Sequence, residues 1–228
     1  GDVRDYAPDY LTNYEVGWKS TLMGGMFRFN GAVYQQNWDT FQFSFLGQNS
    51  FTIIENGPSA RIRGVEMDAT LNTGPLTVTA AGAYTDAKTL NDLCATLVCT
   101  GEEGNLLAPS GTRLPITPQF KINGTARYTV PLGSAKGYIQ GLIAHQSSAS
   151  SDIRTIPAGE LGRLRAYTTA NLAVGAELTN YNIEVFVQNL WDERGEISRF
   201  EECGSCGQRP YIVPIQPRTI GIRVGAKF

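Results

Sequence analysis

The sequence predicts an all-β fold, a transmembrane antiparallel β-barrel, from three observations. Apolar and polar residues alternate with a period of two through nine segments, most of them near the ten-residue length of a membrane-spanning strand. The connections between the segments are short turns on one side and long polar loops on the other. The chain ends on an aromatic residue, Phe228, directly after its last apolar stripe. A soluble β-sandwich shows the same alternation but does not explain the unequal loops or the aromatic terminus.

The nine segments follow one another through most of the chain. They cover residues 13–20, 26–45, 51–71, 76–85, 120–130, 137–146, 167–178, 181–187 and 217–228. The apolar residues of the first five segments include, in order, Tyr14, Val16 and Trp18; Phe27, Phe29 and Val33; Val65, Met67 and Leu71; Leu76, Val78 and Tyr84; and Phe120, Ile122 and Tyr128. Those of the last three segments include Ala170, Leu172 and Val174; Ile183, Val185 and Val187; and Ile220, Ile222 and Val224. The sixth has no clear facing because residues 142–144 are all apolar.

The connections predict how the strands lie in a membrane. Short turns are expected at residues 21–25, 72–75, 131–136 and 179–180, and long polar loops at 86–117, 147–165 and 192–216. The connection at 46–50 is short where the pattern expects a long loop. Bacterial barrels place short turns in the periplasm and contain an even number of strands. Nine strands therefore predict that residues 1–11 end an extracellular loop and that the chain is the C-terminal part of a longer barrel.

Four cysteines form two close pairs in polar loops, Cys94 with Cys99 and Cys203 with Cys206. Disulfides within each loop are the simplest prediction, although four cysteines allow three connectivities. A zinc site of four thiolates would require two distant loops to converge. A thioredoxin-like role for residues 203–206 would require a helix where a proline-containing stretch follows. Each disulfide would remove about 2 kcal/mol of conformational entropy from its loop in the unfolded chain. Disulfide bonds also indicate an extracytoplasmic compartment.

Composition and motifs exclude several functions. The net charge is -2 and the basic residues are dispersed, so a nucleic-acid partner is not expected. The sequence contains no Ser-His-Asp set, phosphate loop or nucleotide fingerprint. The single histidine, His145, has no cysteine or carboxylate pair at ligand spacing, and a lumen or loop position is predicted for it. The sequence therefore predicts a protein that is not an enzyme and has no cofactor or metal.

Candidate ligand-binding residues lie in the long loops. They are Arg154, Arg163, Arg165, Arg199 and Tyr211. Such side chains offer charge-assisted hydrogen bonds or stacking to an anionic or aromatic ligand. The alternative is that these loops pack on one another or on lipopolysaccharide phosphates.

Six stretches resemble, in order, the C-terminal half of TonB-dependent outer-membrane receptors. They are residues 13–20, similar to the family's NYELGxKS strand; 31–34 with 38–39 and 41–42; 56–57 with 63–68; 84–88; 187–194, similar to VxNLFDxR; and 217–219, which open the last strand. The resemblance implies that residues 1–228 form about nine C-terminal strands of one 22-stranded plugged barrel, without its plug domain.

The resemblance also implies a function. Such receptors lie in the bacterial outer membrane and take up a scarce solute, such as a siderophore, cobalamin or saccharide, by energised transport. The implied partners are outer-membrane lipid and lipopolysaccharide, the barrel-assembly machinery, the solute, and the TonB complex through the missing N-terminal part. The alternatives are a passive porin-like channel and a structural barrel subunit of a larger envelope assembly.

The terminal aromatic residue gives a first prediction. Replacing Phe228 with a polar residue is expected to reduce insertion by the barrel-assembly machinery, because the residue is taken as the assembly signal. The measurement is the outer-membrane yield of the variant. An unchanged yield would remove this interpretation of the terminus.

Overall fold

The computed structural model describes residues 6–46, 51–95, 99–100, 105–201 and 209–226. Its strands are β1 Tyr10–Leu22, β2 Phe27–Asp39, β3 Gln42–Leu46, β4 Thr52–Asn56, β5 Ala60–Asn72, β6 Leu76–Thr89, β7 Leu93–Cys94, β8 Leu106–Ala108, β9 Phe120–Leu132, β10 Ala135–Gln146, β11 Tyr167–Glu177, β12 Tyr181–Gln188, β13 Glu196–Glu201, β14 Pro210–Pro214 and β15 Thr219–Ala226. Among the described residues, one α-helix, α1, spans Thr155–Leu161, and one short 3-10 turn spans Met23–Gly25. Within these ranges no helix is long and apolar enough to cross a bilayer.

One antiparallel sheet organises the described chain. It contains nine strands in the order β1-β2-β5-β6-β9-β10-β11-β12-β15, and the other six strands form the hairpins β3-β4, β7-β8 and β13-β14. Each of the nine predicted segments corresponds to one strand of this sheet, so the predicted antiparallel all-β fold is confirmed. The edge strands β1 and β15 do not pair with each other within the described residues. The barrel is therefore not closed by this chain alone.

The strand register separates an apolar face from a polar face. One transverse row runs through Val16, Val33, Val65, Tyr84 and Phe120, which are partners across five neighbouring strands. No described part of the chain covers this apolar face: 75% of Val16, 52% of Val174 and 70% of Ile220 is exposed. A soluble sandwich would bury such a face, whereas lipid covers it in a membrane barrel.

The register also assigns the facing of the sixth segment, which is now β10. Ile143 shares the apolar face with Ala170, whereas Leu142 lies on the polar face between Thr125 and Asn171. The sequence is ambiguous here because that polar face contains an apolar residue. His145 is the partner of Ile122 and lies on the apolar face, so the predicted lumen or loop position is wrong.

The second and third predicted segments, 26–45 and 51–71, are longer than the strands β2 and β5. Strand β2 ends at Asp39, and Thr40 adopts a left-handed backbone with φ 47°. Residues 42–56 then form the separate β3-β4 hairpin before β5 begins at Ala60. The hairpin strands have the same period of two as the sheet, so the pattern conceals the break. The connection between β2 and β5 is therefore long, like the others at this end of the sheet, and the short connection predicted at 46–50 is only the turn within this hairpin.

Four long connections now leave the same end of the sheet. Residues 40–59, 90–119, 147–166 and 189–218 are called L1, L2, L3 and L4. L1 to L3 share a hydrophobic core with the ends of β5 and β6. Its buried members are Phe41, Ala60, Ala87, Leu93, Ala108, Leu114 and Ile153. Because Ala60 and Ala87 lie on the polar face, these loops fold back over that face.

Candidate ligand-binding cleft

All four long loops contribute to one cleft of about 430 Å³. Its lining includes Ser44 and Thr52 from L1, Ile116 from L2, Asp152 and Arg154 from L3, and Ser198, Arg199 and Phe200 from L4. L2 and L3 are tied together by a main-chain bond from Ile116 N–H to Ser150 O of 2.9 Å. Two of the five predicted binding residues, Arg154 and Arg199, therefore lie in the same cleft.

Arg199 connects L4 to L3. Its Nε and Nη2 donate to the two carboxylate oxygens of Glu196 at 2.9 and 2.8 Å. Its Nη1 donates to the carbonyl oxygen of Leu161, the last residue of α1, at 2.7 Å. Arg199 and Glu196 side chains are each only 13% exposed. The bonds from Arg199, with a further main-chain bond from Arg165, hold the pKa of Glu196 below its ordinary value despite burial.

The positive charge of Arg154 is likewise balanced by a carboxylate close to it in the chain, that of Asp152. Its Nη2 donates to Asp152 Oδ2 at 2.8 Å, and its main-chain N–H and Nε both donate to Oδ1 at 2.8 and 3.1 Å. Both side chains are mostly buried. Each cleft arginine thus has a carboxylate two or three positions earlier in the chain. The sequence contains these acidic neighbours, and considering them would have predicted paired arginines.

The other three predicted binding residues lie outside the cleft lining. Arg163 is exposed and donates through Nη2 to Ser148 Oγ at 3.2 Å. Arg165 is exposed and contributes its main-chain N–H to Glu196. The Tyr211 ring stacks on Phe200 with centroids 5.6 Å apart, so it borders the cleft through that ring. A ligand-binding role for any of the five remains a prediction.

The structure contains one of the two predicted disulfides. Cys94 and Cys99 are bonded, with their Cα atoms 5.4 Å apart. Cys94 belongs to β7, and Leu93 of that strand and Ala108 of β8 are buried in the loop core. Cys203, Cys206 and Phe228 lie outside the described residues.

The Arg199–Glu196 pair predicts a pH dependence of L4. Because the folded pKa of Glu196 is lowered, its stabilising contribution is present above the ordinary glutamate pKa of about 4.3 and is lost as the pH falls through the folded value. We expect hydrogen exchange at residues 196–201, corrected for intrinsic rates, to accelerate below about pH 4. The Glu196→Gln variant should exchange fast already at pH 7. Glu160→Gln, at an exposed position of α1, is the control. A variant with unchanged exchange at pH 7 would contradict the prediction.

Asn189 joins the two ends of L4. It is 5% exposed and has a left-handed φ of 49°. Its Nδ2 donates to the carbonyl oxygens of Glu193 and Gln216, both at 2.9 Å, and its Oδ1 accepts from Glu193 N–H at 2.8 Å. Its own main-chain N–H donates to Asn171 Oδ1 at 2.9 Å. The side chain therefore fixes where L4 leaves and rejoins the sheet.

Asp192 completes this clamp. Its Oδ1 accepts the main-chain N–H of Arg218 at 3.0 Å, and its Oδ2 pairs with Arg194 at 2.9 Å. The Arg218 bond is the main cause of a lowered pKa at Asp192. The sequence motif at residues 187–194 does not by itself predict this clamp. The structure gives them a physical role as the clamp at the base of L4.

A polar network lies on the polar face toward the short turns. The Arg127 guanidinium carbon lies 3.6 Å from the centre of the Tyr138 ring, and Arg127 Nη2 donates to Glu177 at 2.7 Å. Tyr138 Oη donates to Glu184 at 2.7 Å, and Glu184 also pairs with Arg223. The network links β9, β10, β11, β12 and β15. In the described ranges, no group of three or more metal-ligand side chains is present.

Comparisons with known proteins agree with this architecture. Residues 2–190 match a family model described as "TonB dependent receptor-like, beta-barrel". The fold is similar to the ferric yersiniabactin uptake receptor FyuA from Yersinia pestis, with a TM-score of 0.72 and 17% identity over 95% of this chain and 29% of that one. It is also similar to the siderophore receptor PiuA from Acinetobacter baumannii (TM-score 0.67, 14% identity, 94% and 28% covered). The ferric citrate transporter FecA is also similar, with a TM-score of 0.66 and 20% identity over 96% of this chain and 31% of that one. The chain thus spans less than a third of each of these three proteins.

Proposed function

Because this chain belongs to the family of TonB-dependent receptor-like β-barrels, we propose that its protein takes up a scarce solute by energised transport. Members of this family are transport proteins of the bacterial outer membrane and not enzymes. In that membrane the apolar face of the sheet contacts lipid and the polar face lines the lumen. The long loops then lie outside the cell and the short turns in the periplasm.

The loop cleft is the observation that carries the proposal. L1 to L3 are held by their own hydrophobic core, and Arg199 fastens L4 to them. A passive pore has no need for a cleft built from all its loops above the lumen. A receptor does, because a preformed site binds its ligand without first having to order the loops.

The cleft also limits how a solute is held. Arg154 and Arg199 are each paired with a carboxylate, so their positive charge is largely balanced within the protein. We propose that the ligand is held by directional hydrogen bonds and by contact with the Phe200 ring. FyuA, PiuA and FecA are named for ferric yersiniabactin, a siderophore and ferric citrate. A metal chelate is therefore the first candidate, followed by cobalamin and saccharides.

Partners follow from the same proposal. Energy would come from the TonB complex, acting through a part of the protein that this chain does not include. Insertion would require the barrel-assembly machinery, and lipid would surround the apolar face.

Solute uptake by cells that produce the full-length protein tests the proposal. Uptake of ferric siderophores, cobalamin and oligosaccharides is measured with and without TonB and the proton-motive force. We expect saturable uptake of one of them that stops when either is removed. Flux that persists without energy would identify a porin-like channel. No flux, with co-purification of another envelope protein at a fixed ratio, would identify a structural subunit.

Variants test the site itself. Arg199→Gln is expected to weaken solute binding, since it removes the bonds that hold L4 against L3. Arg209→Gln removes the same charge at an exposed position of L4 outside the cleft lining and is the matched control. Equal binding by both variants would show that the cleft is not the ligand site.

A further inference from the structure

Ile116 in L2 has a backbone conformation that isoleucine rarely adopts. Its φ is 54°, in the left-handed region, where a β-branched side chain is crowded by its own main chain. Glycine or asparagine would adopt this conformation at a lower cost in stability. Backbone geometry alone therefore does not explain why an isoleucine side chain stands at this position.

Contacts on both sides hold Ile116 in the strained conformation. Two residues earlier, Leu114 is buried in the loop core, and its N–H donates to the Ala87 carbonyl oxygen at 3.0 Å. The N–H of Ile116 itself donates to the Ser150 carbonyl oxygen of L3 at 2.9 Å. A backbone in a sparsely populated region persists only where its surroundings fix it, and such residues cluster at ligand-binding sites.

The Ile116 side chain does not fill the interior of the loops. It is 51% exposed, it is not one of the residues that form the loop core, and it lines the cleft instead. Phe200 of L4 lines the same cleft and is equally exposed. A ligand that covers these two side chains removes apolar surface from water, which favours binding. The strained backbone thus presents an apolar side chain to the cleft.

The other side chains of the cleft favour a flat, uncharged group. The Phe200 ring stacks on Tyr211 with an angle of 22° between the ring planes, so an aromatic ring on the exposed part of Phe200 would extend the stack. The charges of Arg154 and Arg199 are balanced by carboxylates within the protein. Ser151 also lines the cleft, and its buried Oγ has no hydrogen-bond partner among the described residues. A polar substituent that reaches this hydroxyl would supply the missing bond.

We propose that Ile116 and Phe200 bind an uncharged aromatic ring of the solute and that Ile116 makes the cleft specific for it. The ring stacks on Phe200 and packs against the Ile116 side chain. This inference rests on the proposed function, because it concerns the same loop cleft. Binding to the purified protein tests it separately from uptake by cells.

The first test uses the full-length wild-type protein and two uncharged probes, benzamide and cyclohexanecarboxamide. The probes have the same amide group, and only benzamide has a flat aromatic ring. Ligand-observed NMR gives their dissociation constants, with protein-free detergent as the background. We expect benzamide to bind about fivefold more tightly, because aromatic stacking adds to the effect of buried area. Equal affinity for the two probes would overturn the aromatic assignment.

The second test replaces Ile116 with asparagine, which tolerates the left-handed backbone. We expect Ile116→Asn to resist heat at least as well as the wild type but to bind benzamide about fivefold more weakly, because it loses the apolar contact. Ile156→Asn removes the same side chain from an exposed position of α1 outside the cleft lining and should bind like the wild type. If both variants bind benzamide equally, Ile116 does not contact the ligand and the proposal is wrong.

A third variant tests the ring of Phe200. Phe200→Leu keeps an apolar side chain but loses the flat ring, so it should bind the two probes equally. A surviving preference for benzamide would place recognition of the ring elsewhere and would contradict the proposal.

Uptake separates this inference from the proposed function. Energised uptake that Ile116→Asn leaves unchanged would refute the role of Ile116 and leave the transport proposal intact. If the wild type shows no energised uptake but the probes bind as expected, the transport proposal alone is refuted.

Discussion

Replacing Gly175 with valine is expected to prevent most of the protein from reaching its folded state. A Cβ atom at Gly175 would lie 2.5 Å from the Tyr138 ring and 2.8 Å from the Ile183 carbonyl oxygen. The carbonyl oxygen belongs to the neighbouring strand and cannot move without breaking the sheet. The ring cannot move either, because Arg127 packs on it and Glu184 accepts its hydroxyl. We expect a destabilisation of about 3 kcal/mol or more.

Gly141 provides the matched control for this prediction. It lies on the adjacent strand β10, and a Cβ atom there would meet nothing within 4 Å. Because Gly141 is on the lipid-facing side, Gly141→Val should fold as well as the wild type. Folded protein in the outer membrane is measured by its heat-modifiable electrophoretic mobility. The prediction fails if both variants fold to the same extent.

Replacing Asn189 with alanine is the second substitution for which we expect a large effect. It removes two donors and one acceptor at a buried position and leaves the Glu193 and Gln216 carbonyl oxygens without those bonds. Alanine also disfavours the left-handed backbone that Asn189 adopts. Together these losses amount to about 3 kcal/mol. L4 should then become sensitive to protease while the strands stay protected.

Two companion variants separate the causes of that effect. Glycine tolerates the left-handed backbone but lacks the side-chain bonds. L4 of the Asn189→Gly variant should therefore be almost as sensitive to protease as L4 of Asn189→Ala. Asn123→Ala, on the same luminal side of the sheet, is the control. Cleavage sites are mapped by mass spectrometry after limited proteolysis. If L4 of Asn189→Ala resists protease like the wild type, the clamp does not hold the loop.

The strands could be predicted from the sequence because lipid outside and water inside impose a period of two on every residue. The loop structure could not be predicted in the same way. The β3-β4 hairpin shares that period, and only the left-handed backbone at Thr40 separates it from β2. The lumen or loop position predicted for His145 is wrong because this polar side chain lies on the apolar face at the end of β10.

The cleft was only partly predictable. Arginines in polar loops indicated where a ligand could bind, and two of them do meet in one cleft. Their meeting depends on contacts between loops far apart in sequence, such as Arg199 with Leu161. The role of Asn189 was also hidden, since Gln216 lies 27 positions away and no local pattern connects the two.

The shared loop core has a consequence for exchanging the loops that are proposed to bind a ligand. Phe41 from L1, Leu93 from L2 and Ile153 from L3 fill one common interior. Transplanting a single loop from another receptor would leave a void or a steric clash beneath the two loops that remain. Such chimaeras should succeed only when L1, L2 and L3 are exchanged as a block. The loops proposed to bind the ligand thus form a set that must change together.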